Sequence, residues 1–287
     1  MKIQTLRLVR EILSGKWLVA YPDRLLGVAL DYLAKLPVEL DSATAGIRSY
    51  ASSEAAGTGR IREGENRADE SKVVIVPLHG VMTKYATCEN DGTESIAAEM
   101  MRLTGDASVR GFVLDIDSGG GAVNSVSPML QAIRYARGFG KPVYAHVDAC
   151  GSAAYWVASQ CDAIYMDNPL SEVGSIGAMM CIIDDTAQDP QTGERKIVIY
   201  AKESKDKNLS YREALEGRYK LAENELSPLV KRFQDAVKSG RPNLKFNEEG
   251  VLTGAMFMTD RAIRLGLADA QHTLEETAEA VYAISEE

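Results

Sequence analysis

From residue 73 onward the chain alternates β-type and helical patterns, and this order constrains the fold more than any other feature. Apolar runs at 73–78, 111–117, 142–147, 163–166 and 196–201 read as strands, with an extended segment at 173–183. Between them the apolar residues recur at helical spacing over 94–103, 123–137 and 152–160. Short strands separated by helices imply a mostly parallel sheet wound with helices, because each parallel neighbour needs a crossover. A charged amphipathic helix is predicted from Tyr211 to Lys238. Upstream, Met1 to Leu40 reads as helical, and residues 41–71, rich in Ser, Ala, Gly, Glu and Arg, as a flexible linker. The main domain is expected at 72–272, with a helix or tail at 273–287.

Within this framework Ser152 stands out. Pro142-Val143-Tyr144-Ala145-His146-Val147 leads into a small-residue turn, Ala149-Cys150-Gly151, and a helix-forming stretch follows the serine. Such a strand–turn–serine–helix presents a hydroxyl at a helix N-terminus, where unpaired backbone N–H groups stabilise developing negative charge. Serine is also a favoured helix cap, so this segment alone leaves both readings open. A second turn, Asp117-Ser118-Gly119-Gly120-Gly121, follows the strand at 111–117. Its glycines let bare N–H groups approach an anion, yet neither the dinucleotide nor the Walker pattern is present.

A serine nucleophile needs a base. The chain has three histidines, His79, His146 and His272, and none is placed persuasively for a Ser-His-Asp triad. A lysine performs the same task where burial disfavours its charge.

The motifs together resemble the signal peptide peptidase A family. They are Asp117 to Gly121, Gly151-Ser152-Ala153-Ala154-Tyr155-Trp156, Gly174-Ser175-Ile176-Gly177, Thr253-Gly254-Ala255-Met256 and Ala262 to Asp269. The likeness covers roughly residues 72–270 and is greatest to the short branch that serves as head-maturation proteases of tailed phages and prophages. It implies a Clp protease/crotonase-type α/β fold, a spiral of ββα units, and a serine-lysine peptidase needing no cofactor. Residue by residue, it implies Ser152 as nucleophile and Lys205 as base, with Lys202 and Lys207 as competitors for that role. Ser175 would support the lysine, and Gly120 or Gly121 with Ala153 would form the oxyanion hole. Two motifs depart from the family pattern: Ser118-Gly119-Gly120-Gly121 lacks the usual proline, and Ser152-Ala153-Ala154-Tyr155 has alanines for glycines.

Composition narrows the partners. With 45% hydrophobic residues in 287, the chain can bury a full α/β core. A net charge of −9 does not indicate a nucleic-acid surface. The cysteines, Cys88, Cys150, Cys161 and Cys181, lack metal-ligand spacing and suit a reducing cytoplasm. No apolar run reaches the roughly 18 residues that span a bilayer, so neither membrane anchor nor leader is expected. The expected partners are a peptide or protein substrate, such as a phage head or scaffold protein, and further copies of the chain. Alternatives within reach of the same scaffold are a signal-peptide-degrading peptidase, a crotonase-like acyl-CoA enzyme and an inactive assembly protein.

Overall fold

The computed structural model describes residues 17–19, 48–50, 71–87, 91–182, 184 and 197–285. In chain order the strands are β1 Trp17–Val19, β2 Arg48–Tyr50, β3 Lys72–His79, β4 Val109–Ser118, β5 Gly120–Ala122, β6 Val143–Gly151, β7 Ala163–Met166, β8 Glu172–Gly174, β9 Met256–Met258 and β10 Ala270–Gln271. The helices are α1 Thr93–Thr104, α2 Val126–Gly138, α3 Ala153–Ala158, α4 Leu209–Leu215, α5 Lys220–Gly240, α6 Thr259–Leu265 and α7 Leu274–Ile284.

The main sheet has the order β10-β7-β6-β4-β3-β2. Along this path every pair is parallel except β2 with β3; off it, β8 pairs parallel with β6 and antiparallel with β9. The mixed α/β class with a mostly parallel sheet is therefore the architecture that the alternating pattern predicts. Both faces of the sheet are covered. Phe112, Leu114, Ile116, Val143, Ala145 and Val147 point into the larger core, with Ile96, Met100, Met129 and Ile133 of the crossover helices. Val73, Ile75 and Val113 point the other way, onto Ala278 and Val281 of α7. Burial on both faces explains the near-continuous apolar runs, and each fully buried aliphatic side chain contributes roughly 1.5–3 kcal/mol.

β6 runs four residues past the predicted end at Val147. The reason is a change of neighbour: Tyr144–Val147 pair with β7, whereas Ala149–Gly151 pair with β8. Against β4 the register moves from Ile116↔Val147 to Ser118↔Cys150, so β6 holds one extra residue there. This bulge reverses the alternation of faces, and Cys150 joins the core with Val143, Ala145 and Val147.

Four other predictions are corrected. Of the stretch read as helical from Met1 to Leu40, the described residues Trp17–Val19 form a strand, antiparallel to β5; the rest lies outside the described residues. Arg48–Tyr50, inside the predicted linker, is a strand on the edge of the sheet, where β3 supplies the partner that its composition could not reveal. Ile197 to Tyr200 are not a strand, because no described strand lies beside them, and Ile199 is 89% exposed. The helix predicted from Tyr211 to Lys238 is two helices. Gly217, with φ of 77°, ends α4, as its N–H donates to Ala214 and that of Arg218 to Glu213.

α5 is more than a surface helix. Phe233 and Val237 are fully buried, and Phe233 stacks on Trp156 of α3 at 4.8 Å between ring centroids. At the C-terminal side, Arg241 donates to both carboxylate oxygens of Asp269 at 2.8 and 2.7 Å. Asp269 also accepts from the Ile164 amide at 2.7 Å, which locks the last motif onto β7.

Candidate functional site

The bulged end of β6 delivers Ser152 to the first turn of α3. Its backbone stands at φ 53° and ψ −116°, outside the regions that side chains favour, at a cost on the order of 1–3 kcal/mol. Such strain persists only where neighbours over-determine it. Here the Ser152 amide donates to the Gly174 carbonyl at 2.9 Å, and its carbonyl accepts from the Trp156 amide at 2.9 Å. The side chain is aimed at the segment after β8, with Oγ donating to the Gly177 carbonyl at 3.4 Å. Among the described residues, Ser152, Ser175 and Asn208 are the non-glycine residues with positive φ. They stand at the serine turn, in the Gly-Ser-Ile-Gly turn and three residues after Lys205.

The Gly174-Ser175-Ile176-Gly177 turn is held from the other side by the Thr253-Gly254-Ala255-Met256 motif. β9 pairs antiparallel with β8, and the Ser175 amide donates to the Ala255 carbonyl at 2.8 Å. A Cβ on Gly174, where φ is 135°, would lie 2.3 Å from that same carbonyl oxygen. The Tyr155 hydroxyl, fully buried, donates to the Leu267 carbonyl at 2.9 Å. Four of the sequence motifs thus meet around one serine.

The fifth, the glycine turn, packs against α3 through β5. The Met82 amide donates to the Gly120 carbonyl at 3.0 Å, and the Ala122 amide to the Met82 carbonyl at 2.8 Å. Gly121 has to be glycine, since a Cβ there would sit 2.0 Å from the Met82 oxygen. The Gly120 N–H is already engaged by Ser118 Oγ at 3.1 Å. Because backbone groups alternate sides along a strand, the N–H of Gly121 points away from Met82. Ala153 opens α3, so its N–H has no acceptor within the helix.

Among the described residues no hydrogen bond joins Lys205 to Ser152, whose hydroxyl is directed at the Gly177 carbonyl. Lys205 lies exposed in the turns before α4, and its carbonyl accepts from Arg212 Nη2. Among the described residues nothing is hydrogen-bonded or ion-paired to its side chain. Lys202 and Lys207 are exposed in the same way. Ser175 is half-buried.

Other candidates for the chemistry fall away on geometry. Cys150 is fully buried, and burial pushes its thiol well above the ordinary range, so this sulfur is no competing nucleophile. His146 lies on the opposite face of the sheet from the larger core. Its Nδ1 donates to Asp115 Oδ1 at 3.3 Å. Its Nε2 lies 3.2 Å from Asp167 Oδ1 without forming a hydrogen bond. His79 Nε2 donates to the other oxygen of Asp115 at 3.2 Å. This His-Asp-His cluster was not legible in the sequence, since it joins residues of three neighbouring strands, β3, β4 and β6. Burial works to raise the Asp115 carboxyl, but the two histidines outweigh it and hold the group below the usual carboxylate range.

A strained serine at a strand-to-helix turn is the placement that a serine nucleophile of acyl-transfer hydrolases takes. Comparison with known sequences is specific: the chain belongs to peptidase family S49, whose sequence model matches residues 136–284. Protease 4 of Haemophilus influenzae is 24% identical over 205 residues, covering 69% of this chain and 32% of that protein. The chain thus spans about a third of the length of this curated relative. Among solved structures, the 1510-N membrane-bound stomatin-specific protease with a serine-to-alanine change aligns at a TM-score of 0.37 and 14% identity. That alignment covers 71% of this chain and 81% of the other. A lysine-to-alanine form of the same protease, in complex with a substrate peptide, aligns at 0.35 and 12% identity, covering 69% and 74%. Among the described residues no helix is long and apolar enough to cross a membrane.

Proposed function

We propose that the chain is a serine endopeptidase in which Ser152 is the nucleophile and Lys205 the general base. The observation that carries the reading is the strained backbone of Ser152, tied to Gly174 and set beside the glycine strand β5. In the forward step the lysine amine takes the Ser152 proton as Oγ bonds to the substrate carbonyl carbon. The N–H groups of Gly121 and Ala153 hold the resulting oxyanion. Of the two glycines, Gly121 is favoured because the N–H of Gly120 is engaged by Ser118. The lysinium protonates the leaving amine as the C–N bond breaks, and water then hydrolyses the serine ester. Loss of one oxyanion donor in such sites costs roughly 3–4 kcal/mol in the barrier.

The base comes from a neighbouring copy of the chain. Lys205 is exposed here, and the apolar run before it, Ile197 to Ile199, is exposed as well. Docking of that run on a second subunit would desolvate the lysine and bring it to the partner's serine. Ser175 is the residue assigned to steady it. Motif likeness extends the reading to maturation of phage heads, with a head or scaffold protein as substrate and the bacterial cytoplasm as the place of action. Co-expression with candidate head proteins, followed by mass spectrometry of new termini, tests this; new termini that persist with Ser152→Ala would exclude it. Fluorophosphonate labelling of purified protein tests the chemistry, because only an activated serine reacts.

A further inference from the structure

β5 has two edges, and the chain itself covers both. Met82 holds one through the Gly120 carbonyl and the Ala122 amide. On the other lies β1, with Trp17 opposite Ala122, Leu18 opposite Gly121 and Val19 opposite Gly120. We infer that β1 is an autoinhibitory strand, lying where an extended peptide substrate would add to β5. This rests on the peptidase reading above.

Three observations converge on it. The first is sidedness: with Gly120 and Ala122 bonded to Met82, the N–H and C=O of Gly121 face β1 and meet Leu18. The Leu18 carbonyl therefore stands before the N–H assigned to the oxyanion. The second is direction. β1 runs antiparallel to β5, from Ala122 toward Gly120, and extends along its edge as a strand, the mode by which extended peptides add to sheet edges. The third is access, since Ser152 is 1% exposed and Gly120 and Gly121 are buried. A substrate strand and β1 need the same hydrogen-bonding edge, so one excludes the other. A tethered segment acts at an effective concentration on the order of millimolar. A peptide that binds the bare edge with an affinity near 0.1 mM is therefore weakened about tenfold.

The test uses the full chain carrying Ser152→Ala, so that no turnover intervenes, and a fluorescent synthetic peptide of residues Ser14–Tyr21 as probe. Leu18→Pro removes the N–H that faces Gly121. Adding it should tighten peptide binding about tenfold, matching the tethered competition. Leu18→Gly, which weakens the strand without locking the backbone, should give a smaller gain in the same direction. Equal affinity in all three proteins overturns the inference, as does failure of the peptide to bind any of them. Fluorophosphonate labelling of the Ser152-containing protein reports separately on the peptidase reading, and its failure leaves the binding result to stand alone.

Discussion

The amide of Ser152 donates to the carbonyl of Gly174 at 2.9 Å, fastening the strained serine to the end of β8. This bond relates two motifs 22 positions apart in sequence. It also explains why β8 replaces β7 beside the end of β6: only a neighbour that reaches past Val147 can supply the acceptor.

Strain at Ser152 has a measurable consequence. Ser152→Ala should abolish cleavage and fluorophosphonate labelling with little change in melting temperature, as alanine meets the same backbone restriction. Ser152→Gly should be equally inactive yet more stable by about 1 kcal/mol, since glycine tolerates positive φ. Calorimetry of the three proteins checks this; a glycine variant less stable than the alanine variant would contradict the strained backbone.

Lys205→Ala should be as inactive as Ser152→Ala if the two form the proposed dyad, whose members act as a unit. Lys202→Ala and Lys207→Ala should keep most of the activity. Mixing the inactive serine and lysine variants should restore turnover if subunits share sites. Absence of recovery despite demonstrated subunit exchange would place serine and lysine in one chain.

Gly121→Ala should destabilise the turn and lose activity, because its Cβ would lie 2.0 Å from a backbone oxygen that cannot rotate away. A stability loss of about 2 kcal/mol is expected in urea unfolding, within the range of backbone clashes. Gly138→Ala serves as control, since a Cβ there meets nothing within 4 Å.

Asp115 predicts an acid response. Its folded carboxyl is held below the ordinary value near 4. The stabilisation is therefore complete above about pH 4 and is lost as pH falls toward the depressed folded value. Asp115→Asn should cost about 1–3 kcal/mol at pH 7 and flatten the decline below pH 4. Urea midpoints across pH 3 to 7 measure both; an unchanged acid slope would remove the histidine pairing from the stability of the fold.

The residues by themselves determined the strand and helix order from the strand at 73–78 to that at 163–166, save the short β5, because hydrophobic periodicity reports burial on one or both faces. They also marked Ser152, the glycine turn and the Gly-Ser-Ile-Gly turn, each carrying a local conformational demand visible in glycine and serine placement. Tertiary structure decided the rest. Whether Ala149 to Gly151 turn or continue as strand depends on β8, a partner that local sequence does not contain. The same holds for Trp17–Val19, whose pairing needs β5 about a hundred residues away, and for the Asp115 cluster built from three strands. Ile197 to Tyr200 have strand composition without a strand beside them among the described residues. Backbone hydrogen bonds across a sheet are non-local, so composition sets a segment's capacity to pair, and the fold alone supplies its partner.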